Sequence, residues 1–175
     1  MILSEEKLNT RPEHIREVGD FDCGIENEAL TEYLHGKAFE ENREHKTVTY
    51  LVKLDHELIG YYSLKATGLA YIINDRVSAT PLLELSEFAI DHRKQRNHLG
   101  SAIMINMVFD KVKSISEIIG SRGLITFAKS EQAIAFYESI GFEKIDEELQ
   151  KILIMDDFST GCYPMMISLD TIKKE

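Results

Sequence analysis

The stretch that most constrains the fold runs from an apolar, strand-like segment, Leu82–Ile90, into an apolar segment of helical length, Leu99–Ile119. A short apolar run, Ile125–Ala128, comes next. A strand, a helix and a second strand in this order predict a parallel strand pair joined by a right-handed crossover. Upstream, Thr47–Leu54 and Leu58–Thr67 are rich in β-forming residues and are separated by a short turn, so we predict an antiparallel hairpin there.

Helices are predicted on both sides of this pattern. Asn27–Glu44 carries apolar residues at helical spacing and charged residues between them, as a surface helix does. Ser130–Ile140 reads as a second helix, because Ser130 suits an N-cap and Gly141 suits the left-handed position after the last turn. Tyr163–Leu169 is predicted as a final strand. The sequence therefore predicts an α/β fold in which helices flank a mixed sheet.

Length and composition limit the class of protein. The 175 residues, of which 43% are hydrophobic, suffice for one sizeable core, and no repeat or linker divides them. We therefore expect a single domain over residues 1–175. The N-terminus lacks the pattern of a signal peptide, and no apolar stretch approaches the roughly 20 residues that span a bilayer. The sequence predicts a cytoplasmic protein that does not insert into a membrane.

Charge and cysteine usage narrow the functions further. A formal net charge of −10 disfavours broad electrostatic docking on nucleic acid or anionic membranes, and it favours cationic acceptors. Cys23 and Cys162 are far apart in the sequence and lack metal-type spacing, so we expect two free thiols. His92 and His98 do not form a metal-binding pattern either, and no metal site is predicted.

Against this acidic background, the loop between Ile90 and Leu99 is basic. We call residues 91–98, "DHRKQRNH", the basic loop. A loop that leaves a strand and starts a helix presents unpaired backbone N–H groups at the positive end of the helix dipole. The amides of Gln95–Ser101 therefore suit an anionic group such as a phosphate, Gly100 permits close approach, and Arg93, Lys94 and Arg96 add positive charge. The alternative is an ordinary solvated loop.

Two motifs carry a resemblance to a known family. "QRNHLG", from Gln95 to Gly100, resembles the Q/R-x-x-G-x-G/A motif with which N-acetyltransferases of the GNAT superfamily bind acetyl-CoA. "AIAFYESIGFEKI", from Ala133 to Ile145, is similar to the second signature of this family, an A-x-x-F-Y helix that ends in G-F. Softer patterns, "FDCG", "LIGYYSL" and "IIGSRGLITFA", resemble the branch that includes tRNA-acetylating toxins.

The resemblance implies the architecture of the acetyl-CoA site. It implies a mixed, mostly antiparallel sheet with a parallel strand pair that splays apart around the pantetheine arm, and a pyrophosphate on the basic loop. The backbone N–H of Phe88 or Ile90 then bonds the pantetheine or polarises the thioester carbonyl. The remaining implied cofactor contacts come from the basic loop, the helix after it and the Ser130–Ile140 helix: Gln95, Arg96, Asn97, His98, Leu99, Gly100, Ser101, Ser130, Ala133 and Phe136.

One residue departs from the family motif. His98 stands where the pattern has its first glycine. Its backbone N–H remains available, so the expected cost is crowding near the pyrophosphate, or strain if the backbone needs a positive φ. An outward-pointing imidazole and an imidazole that bonds a phosphate both fit the sequence.

The chemistry requires an acid and a base. An amine must lose a proton before it attacks a thioester, and protonation assists departure of the thiolate. The resemblance places the hydroxyl of Tyr137 near the sulfur as the acid, although packing beside Phe136 would also explain this residue. Glu84 and Glu87 lie in a largely apolar strand, where a carboxylate is costly unless it is paired or used. Either could be the base, and a reaction without a protein base stays open.

Three functions remain in competition. The first is an acetyl-CoA-dependent N-acetyltransferase that acts on a primary amine of a small molecule or a protein. The second is a toxin that acetylates the amine of aminoacyl-tRNA and is held inactive by an antitoxin. The third is a GNAT-fold protein that binds acyl-CoA without turnover. The family resemblance also implies a homodimer.

Overall fold

A single mixed sheet forms the centre of the fold. The computed structural model describes residues 2–96, 98–145, 153–154 and 161–173. Seven strands are neighbours in the order β1-β2-β3-β4-β5-β8-β6, and β7 pairs with β3 outside this path. Their bounds are β1 Leu3–Lys7, β2 Val48–Leu54, β3 Glu57–Ile73, β4 Arg76–Ile90, β5 Gly123–Ala128, β6 Glu143–Lys144, β7 Leu153–Ile154 and β8 Tyr163–Ser168.

The sheet is mostly antiparallel. Strand β2 pairs with both β1 and β3 in this sense, and β8 pairs in the same way with β5 and β6. A two-residue turn joins β3 to β4, which makes that pair antiparallel too. The one parallel pair is therefore β4 and β5, joined by a helical crossover. The predicted α/β class with a mixed sheet is confirmed.

The helices match the predicted positions but contain irregular turns. Their bounds are α1 Pro12–Gly19, α2 Glu28–Glu32, α3 Ala38–Arg43, α4 Leu99–Ile103, α5 Phe109–Ile119, α6 Glu131–Ser139 and α7 Leu169–Ile172. A π-helical turn, Tyr33–Lys37, joins α2 to α3, and a second one, Met104–Val108, joins α4 to α5. Each predicted long helix is thus one helical stretch with a wide turn inside it. Strands β1, β6 and β7 and helices α1 and α7 were not predicted, and the strand predicted over Tyr163–Leu169 ends at Ser168.

Strands β3 and β4 are longer than the sequence indicated. They continue to a tight turn at Asn74 and Asp75, whose φ angles are +50° and +59°. Two successive positive φ values are typical of a type I′ hairpin turn, in which Asn and Asp are favoured. The side chains from Asn74 to Ala79 are exposed, so no buried alternation marks this part of the hairpin in the sequence.

The chain forms two compact units. The first comprises Met1–Lys65 and Leu85–Met107, and the second comprises Ala66–Glu84 and Val108–Glu175. In the first unit, Phe21 and Tyr61 are buried, and their rings meet edge to face with centroids 5.6 Å apart. In the second unit, a core cluster is formed by Leu69, Leu82, Ile125 and Ile145. The expectation of a single domain stays a prediction.

A glycine allows the closest strand approach in the first unit. A Cβ built on Gly60 of β3 would lie 2.7 Å from the carbonyl oxygen of Ala89, shorter than real Cβ contacts allow. Beyond this point, the amide of Asp91 donates to the carbonyl of Ile59 at 2.9 Å. Gly60 therefore holds the end of β4, and the start of the basic loop, against β3. None of the helices in the described ranges is both long and apolar enough to cross a membrane.

Candidate active site

The basic loop is fixed at its start by Asp91. This residue is 1% exposed, and its carboxylate faces the guanidinium of Arg93, with Nε 2.7 Å from Oδ1 and Nη2 2.6 Å from Oδ2. The backbone amides of Arg93 and Asp22 also donate to it, at 3.0 and 3.4 Å. Burial opposes ionisation of the carboxyl, but these donors outweigh it and hold the pKa of Asp91 below its usual range.

The cations of the basic loop differ in their partners. Arg93 is occupied by Asp91, and Nζ of Lys94 lies 2.7 Å from a carboxylate oxygen of Glu57. Arg96 is exposed and forms no ion pair with any residue that the structure describes. The positive charge predicted for the loop is therefore balanced within the protein at two of its three positions. Of these cations, Arg96 is the one best suited to meet an external anion.

Two backbone conformations distinguish the second half of the loop. Arg96 and His98 have φ angles of +65° and +57°, in the left-handed region that favours glycine. His98 is exposed and precedes the first residue of α4, Leu99. The predicted alternative of a positive φ at His98 is thus the one observed. The predicted contact Asn97 lies outside the described residues.

The start of α4 can supply donors to an anion. The first intrahelical bond runs from the amide of Ala102 to the carbonyl of His98, at 3.2 Å. By helix geometry, the amides of Leu99, Gly100 and Ser101 have no such partner, and these three residues are only half-buried. The helix that begins here continues to Ile119. This arrangement fits the diphosphate of a CoA ester.

The two candidate bases differ in exposure. Glu84 is 9% exposed, and its neighbours in the sequence, Leu83 and Leu85, are also buried. Glu87 is half-buried, and its charge adds to the effect of burial in raising the pKa of the Tyr61 phenol. Four consecutive residues of β4, Leu82–Leu85, are buried, so simple alternation does not describe this strand. Phe88 and Ile90, the predicted backbone donors, are half-buried.

Helix α6 carries the predicted acid. The hydroxyl of Ser130 accepts from the amide of Ala133 at 3.1 Å, which confirms Ser130 as the N-cap. Tyr137 is 8% exposed, and its ring lies 5.2 Å from those of both Phe136 and Phe142, measured between centroids. Gly141 has a φ of +92°, as predicted for the position after the helix. Tyr137 thus lies in an aromatic group, with Phe136 half-buried beside it.

The predicted site residues are divided between the two units. Phe88, Ile90 and the loop residues from Gln95 to Ser101 belong to the first unit, together with Glu87. Glu84, Ser130, Ala133, Phe136 and Tyr137 belong to the second. In the first unit the predicted residues follow one another along β4, the basic loop and α4, whereas in the second unit Glu84 lies on β4 and the other residues lie on α6 or at its N-cap.

The two cysteines are not among the predicted site residues. Neither Cys23 nor Cys162 is in a disulfide bond, and Cys23 is buried. Burial raises the pKa of the Cys23 thiol to about 11, so the thiol stays protonated at neutral pH and is a poor nucleophile. Among the residues that the structure describes, no three His, Cys, Asp or Glu side chains are placed to hold a metal ion.

A comparison with protein families identifies the chain. Residues 12–155 match the model of the acetyltransferase (GNAT) domain. The chain belongs to the GNAT family. The predicted family, the N-acetyltransferase activity and the use of acetyl-CoA as co-substrate are confirmed by this match. No curated protein sequence is significantly similar to the chain.

Solved structures share the GNAT fold of the chain over nearly its whole length. A mutant AtaT toxin bound to the C-terminus of the antitoxin AtaR and acetyl-CoA has a TM-score of 0.74 at 22% identity, with 99% of this chain and 97% of that chain covered. AtaT complexed with acetyl-methionyl-tRNAfMet gives 0.74 at 21%, covering 99% and 98%. A KacT mutant gives 0.74 at 21%, covering 99% of both chains. This likeness confirms the predicted fold.

The sequence analysis did not identify Asp91 as the buried carboxylate that bonds to Arg93 and to the amide of Asp22. It also did not predict the contacts of the Gln95 side chain. Its Nε2 donates to the carbonyl of Ile90 at 2.9 Å and to that of Cys23 at 3.2 Å. One local signal was available, because Asp91 begins a turn and its carboxylate accepts from the amide two residues later, as aspartates in turns do. The partners in residues 20–24 are distant in sequence and left no such signal.

Proposed function

We propose that the chain acetylates the α-amino group of an aminoacyl-tRNA. The observation that carries this choice of acceptor is the likeness, over nearly the whole of both chains, to AtaT complexed with acetyl-methionyl-tRNAfMet. An antitoxin is proposed as the partner, because other structures of similar fold are toxins bound to AtaR. The homodimer implied by the resemblance stays a prediction.

The first unit holds the diphosphate of the co-substrate in this proposal. The amides of Leu99, Gly100 and Ser101 provide donors that are already oriented by α4. The exposed guanidinium of Arg96, which forms no ion pair with the residues that the structure describes, adds positive charge. Fixed donors of this kind need little reorganisation when an anion binds. Gln95 contributes its amide, while its side chain holds the loop in place. Asn97 and His98 stay predicted contacts.

Bound acetyl-CoA supplies an acetyl group activated as a thioester. The neutral amine of the acceptor attacks the carbonyl carbon, a carbon–nitrogen bond forms, and the carbon–sulfur bond breaks. Tyr137 donates its phenolic proton to the departing sulfur, and the proton that the newly bonded nitrogen releases restores the phenol. The aromatic rings of Phe136 and Phe142 pack against the Tyr137 ring and restrict its motion.

Glu84 takes the proton that the attacking ammonium must lose. Its burial in strand β4 supports this assignment, because a base that is shielded from bulk water accepts a proton from a bound amine rather than from solvent. Glu87 is the second candidate, because it is closer to solvent and its charge acts on the Tyr61 phenol. Phe88 and Ile90 provide the backbone N–H groups proposed for the thioester carbonyl or the pantetheine.

One observation favours a different acceptor. The formal net charge of −10 attracts cationic amines such as polyamines or lysine side chains, and it disfavours a large polyanion. Binding of tRNA therefore requires that lysine and arginine side chains gather around the acceptor. A small amine or a protein amino group is the second candidate.

A panel of acceptors decides between these functions. Acetyl transfer from labelled acetyl-CoA is measured on aminoacyl-tRNA, uncharged tRNA, spermidine and a lysine peptide, with Glu84→Gln and Glu87→Gln as paired variants. We expect kcat/KM on aminoacyl-tRNA to exceed that on the other amines by about 10²-fold or more. We also expect Glu84→Gln to lower kcat far more than Glu87→Gln. A preference for spermidine or the peptide would overturn the acceptor, and binding without transfer would show a protein without turnover.

A further inference from the structure

The basic loop is joined to a distant segment, Asp20–Gly24, which leads into the helix that contains α2. The amide of His92 donates to the carbonyl of Asp22 at 2.8 Å. Nη2 of Arg93 donates to the carbonyl of Asp20, and Nε2 of Gln95 donates to that of Cys23, both at 3.2 Å. In return, the amide of Asp22 donates to the carboxylate of Asp91. Four residues of the loop, from Asp91 to Gln95, thus bond to three residues of the segment.

Asp91 is the centre of these contacts. Its side chain is 1% exposed, so it is closed to a ligand in solution, whereas that of Arg93 is 52% exposed. Arg93 nevertheless uses Nε and Nη2 on Asp91 and Nη2 also on Asp20. A planar guanidinium held in this two-point manner is oriented by its carboxylate. The exposed cation is therefore part of the loop's internal support.

The opposite end of the Asp20–Gly24 segment is also fixed. The amide of Cys23 donates to the hydroxyl of Thr31 at 2.9 Å, and the carbonyl of Gly24 accepts from the amide of Asn27 at 2.9 Å. Gly24 has a φ of +84°, and a Cβ built on it would lie 3.4 Å from the Cβ of His92. A change in the basic loop is therefore transmitted to the first turn of this helix through direct contacts.

We propose that Asp91 is a positioning residue for acetyl-CoA binding, which orients the basic loop by joining it to the Asp20–Gly24 segment. This inference rests on the proposed function insofar as the basic loop holds the diphosphate. The loop contains two residues in the left-handed region, Arg96 and His98, and such conformations persist only where surrounding contacts determine them. Asp91 fixes the start of the same loop, through its contacts with Arg93 and Asp22. By reciprocity, acetyl-CoA binding makes the Asp20–Gly24 segment more ordered.

The test compares Asp91→Asn, Arg93→Met and the double variant with the wild type. Calorimetry gives the Kd for acetyl-CoA, and steady-state kinetics give kcat on the accepted amine. We expect each single variant to raise Kd about tenfold, since hydrogen bonds to charged groups are lost, with kcat at saturation within about twofold. The double variant should bind no more weakly than Asp91→Asn, because the two residues act as one unit.

The matched control is Lys53→Met, a buried cation of the same unit that pairs with Glu17 at 2.9 Å. It should lower the melting temperature of the free protein without changing Kd. Hydrogen exchange supplies a readout that a merely structural role would not move. We expect acetyl-CoA to slow amide exchange in the Asp20–Gly24 segment of the wild type, and not in Asp91→Asn.

Two results would overturn the inference. An unchanged Kd in Asp91→Asn with a lower melting temperature would make Asp91 a structural residue only. Additive losses in the double variant would mean that Arg93 contacts the phosphates directly. Both results are read from acetyl-CoA binding alone, so a wrong acceptor in the proposed function leaves the test intact. A wild type that binds no acetyl-CoA would overturn both proposals.

Discussion

The basic loop and helix α6 both carry predicted acetyl-CoA contacts, but they reach their conformations in different ways. Helix α6 begins on a capping serine, Ser130, and ends before a glycine with positive φ, Gly141. The basic loop places Arg96 and His98 in the left-handed region and balances the charge of Arg93 with the buried Asp91. In α6 each local residue suits its position, whereas the loop depends on partners far away in the sequence.

The difference shows which conformations can be predicted from a local sequence motif. A capped helix can be recognised from its own residues, because cap and C-terminal signals act over three or four positions. The conformation of a loop is set by the groups that hold it, and for the basic loop those groups come from residues 20–24 and from Glu57. The run of cations therefore indicated the location of the loop but not the partners of its side chains.

We expect the strongest loss of acetyl-CoA binding from a substitution at the start of α4, directly after the basic loop, that leaves α6 unchanged. Gly100→Val places a branched side chain at the start of α4, where the diphosphate is expected to lie. Acetyl-CoA at about 100 times its Kd stabilises the wild type by roughly 2.7 kcal/mol, which raises the melting temperature by several degrees. We expect Gly100→Val to abolish this shift in a thermal melt.

Gly19→Val is the control for Gly100→Val. A Cβ built on Gly19 meets nothing within 4 Å, so the added side chain has open space, and the acetyl-CoA shift should stay. If Gly100→Val binds acetyl-CoA as tightly as the wild type does, the diphosphate does not lie at the junction of the basic loop and α4.

The second prediction concerns kcat, which we expect to fall after a substitution in α6 that leaves the basic loop unchanged. Tyr137→Phe keeps the ring and its contacts with Phe136 and Phe142 but removes the proton that the thiolate needs. We expect kcat to fall by about 10²-fold, while the Kd for acetyl-CoA stays within a few-fold, because the proton matters only in the transition state. Tyr163→Phe, at an exposed tyrosine, should change neither quantity. A loss of stability with kcat unchanged would assign Tyr137 to packing.

We expect the smallest changes in the Kd for acetyl-CoA from two substitutions in the basic loop. They distinguish the effect of backbone strain from the effect of side-chain charge. His98→Gly removes a left-handed side chain, a gain of roughly 1 kcal/mol that the greater freedom of glycine in the unfolded chain largely offsets. We expect the Kd for acetyl-CoA to stay within about threefold of the wild type, or to tighten. Arg96→Gly relieves the same strain but removes an exposed cation, so we expect weaker binding that depends less on salt.

His98→Ala completes this comparison, because it keeps the left-handed Cβ and removes the imidazole. Calorimetry on all three variants gives the answer. If both His98 variants bind clearly more weakly than the wild type, the imidazole contacts the ligand. If Arg96→Gly binds as tightly as the wild type at every salt concentration, the loop holds its anion through backbone amides alone.

Much of the fold was accessible from the sequence. The predicted hairpin, the crossover helix, β5, α6 and β8 are all present, because their buried faces repeat at the period of a helix or a strand. Strand β1 was missed, since its side chains are exposed or half-buried and strongly charged. The outer half of the β3–β4 hairpin was missed for a related reason, because its side chains from Asn74 to Ala79 face solvent.

The site was predictable only where residues act locally. The caps of α6 were identified correctly, and the family motifs located the basic loop. The pairing of Lys94 with Glu57, and of Arg93 with Asp91, depends on tertiary contacts or on side-chain direction, which residue type does not reveal. The choice between Glu84 and Glu87 also stays open in the sequence, because β4 does not alternate between buried and exposed residues.

The division of β3 and β4 between the two compact units has a consequence for synthesis of the chain. On the ribosome, Met1–Lys65 emerges well before Leu85–Met107, the segment that completes the same unit. At 5–20 residues per second, this interval lasts roughly 2–8 s. Until then the edge of β3 near Ile59 and Tyr61 lacks its neighbour, and unpaired strand edges invite association with other chains. The nascent protein is therefore most exposed to aggregation, and most in need of a chaperone, during this interval.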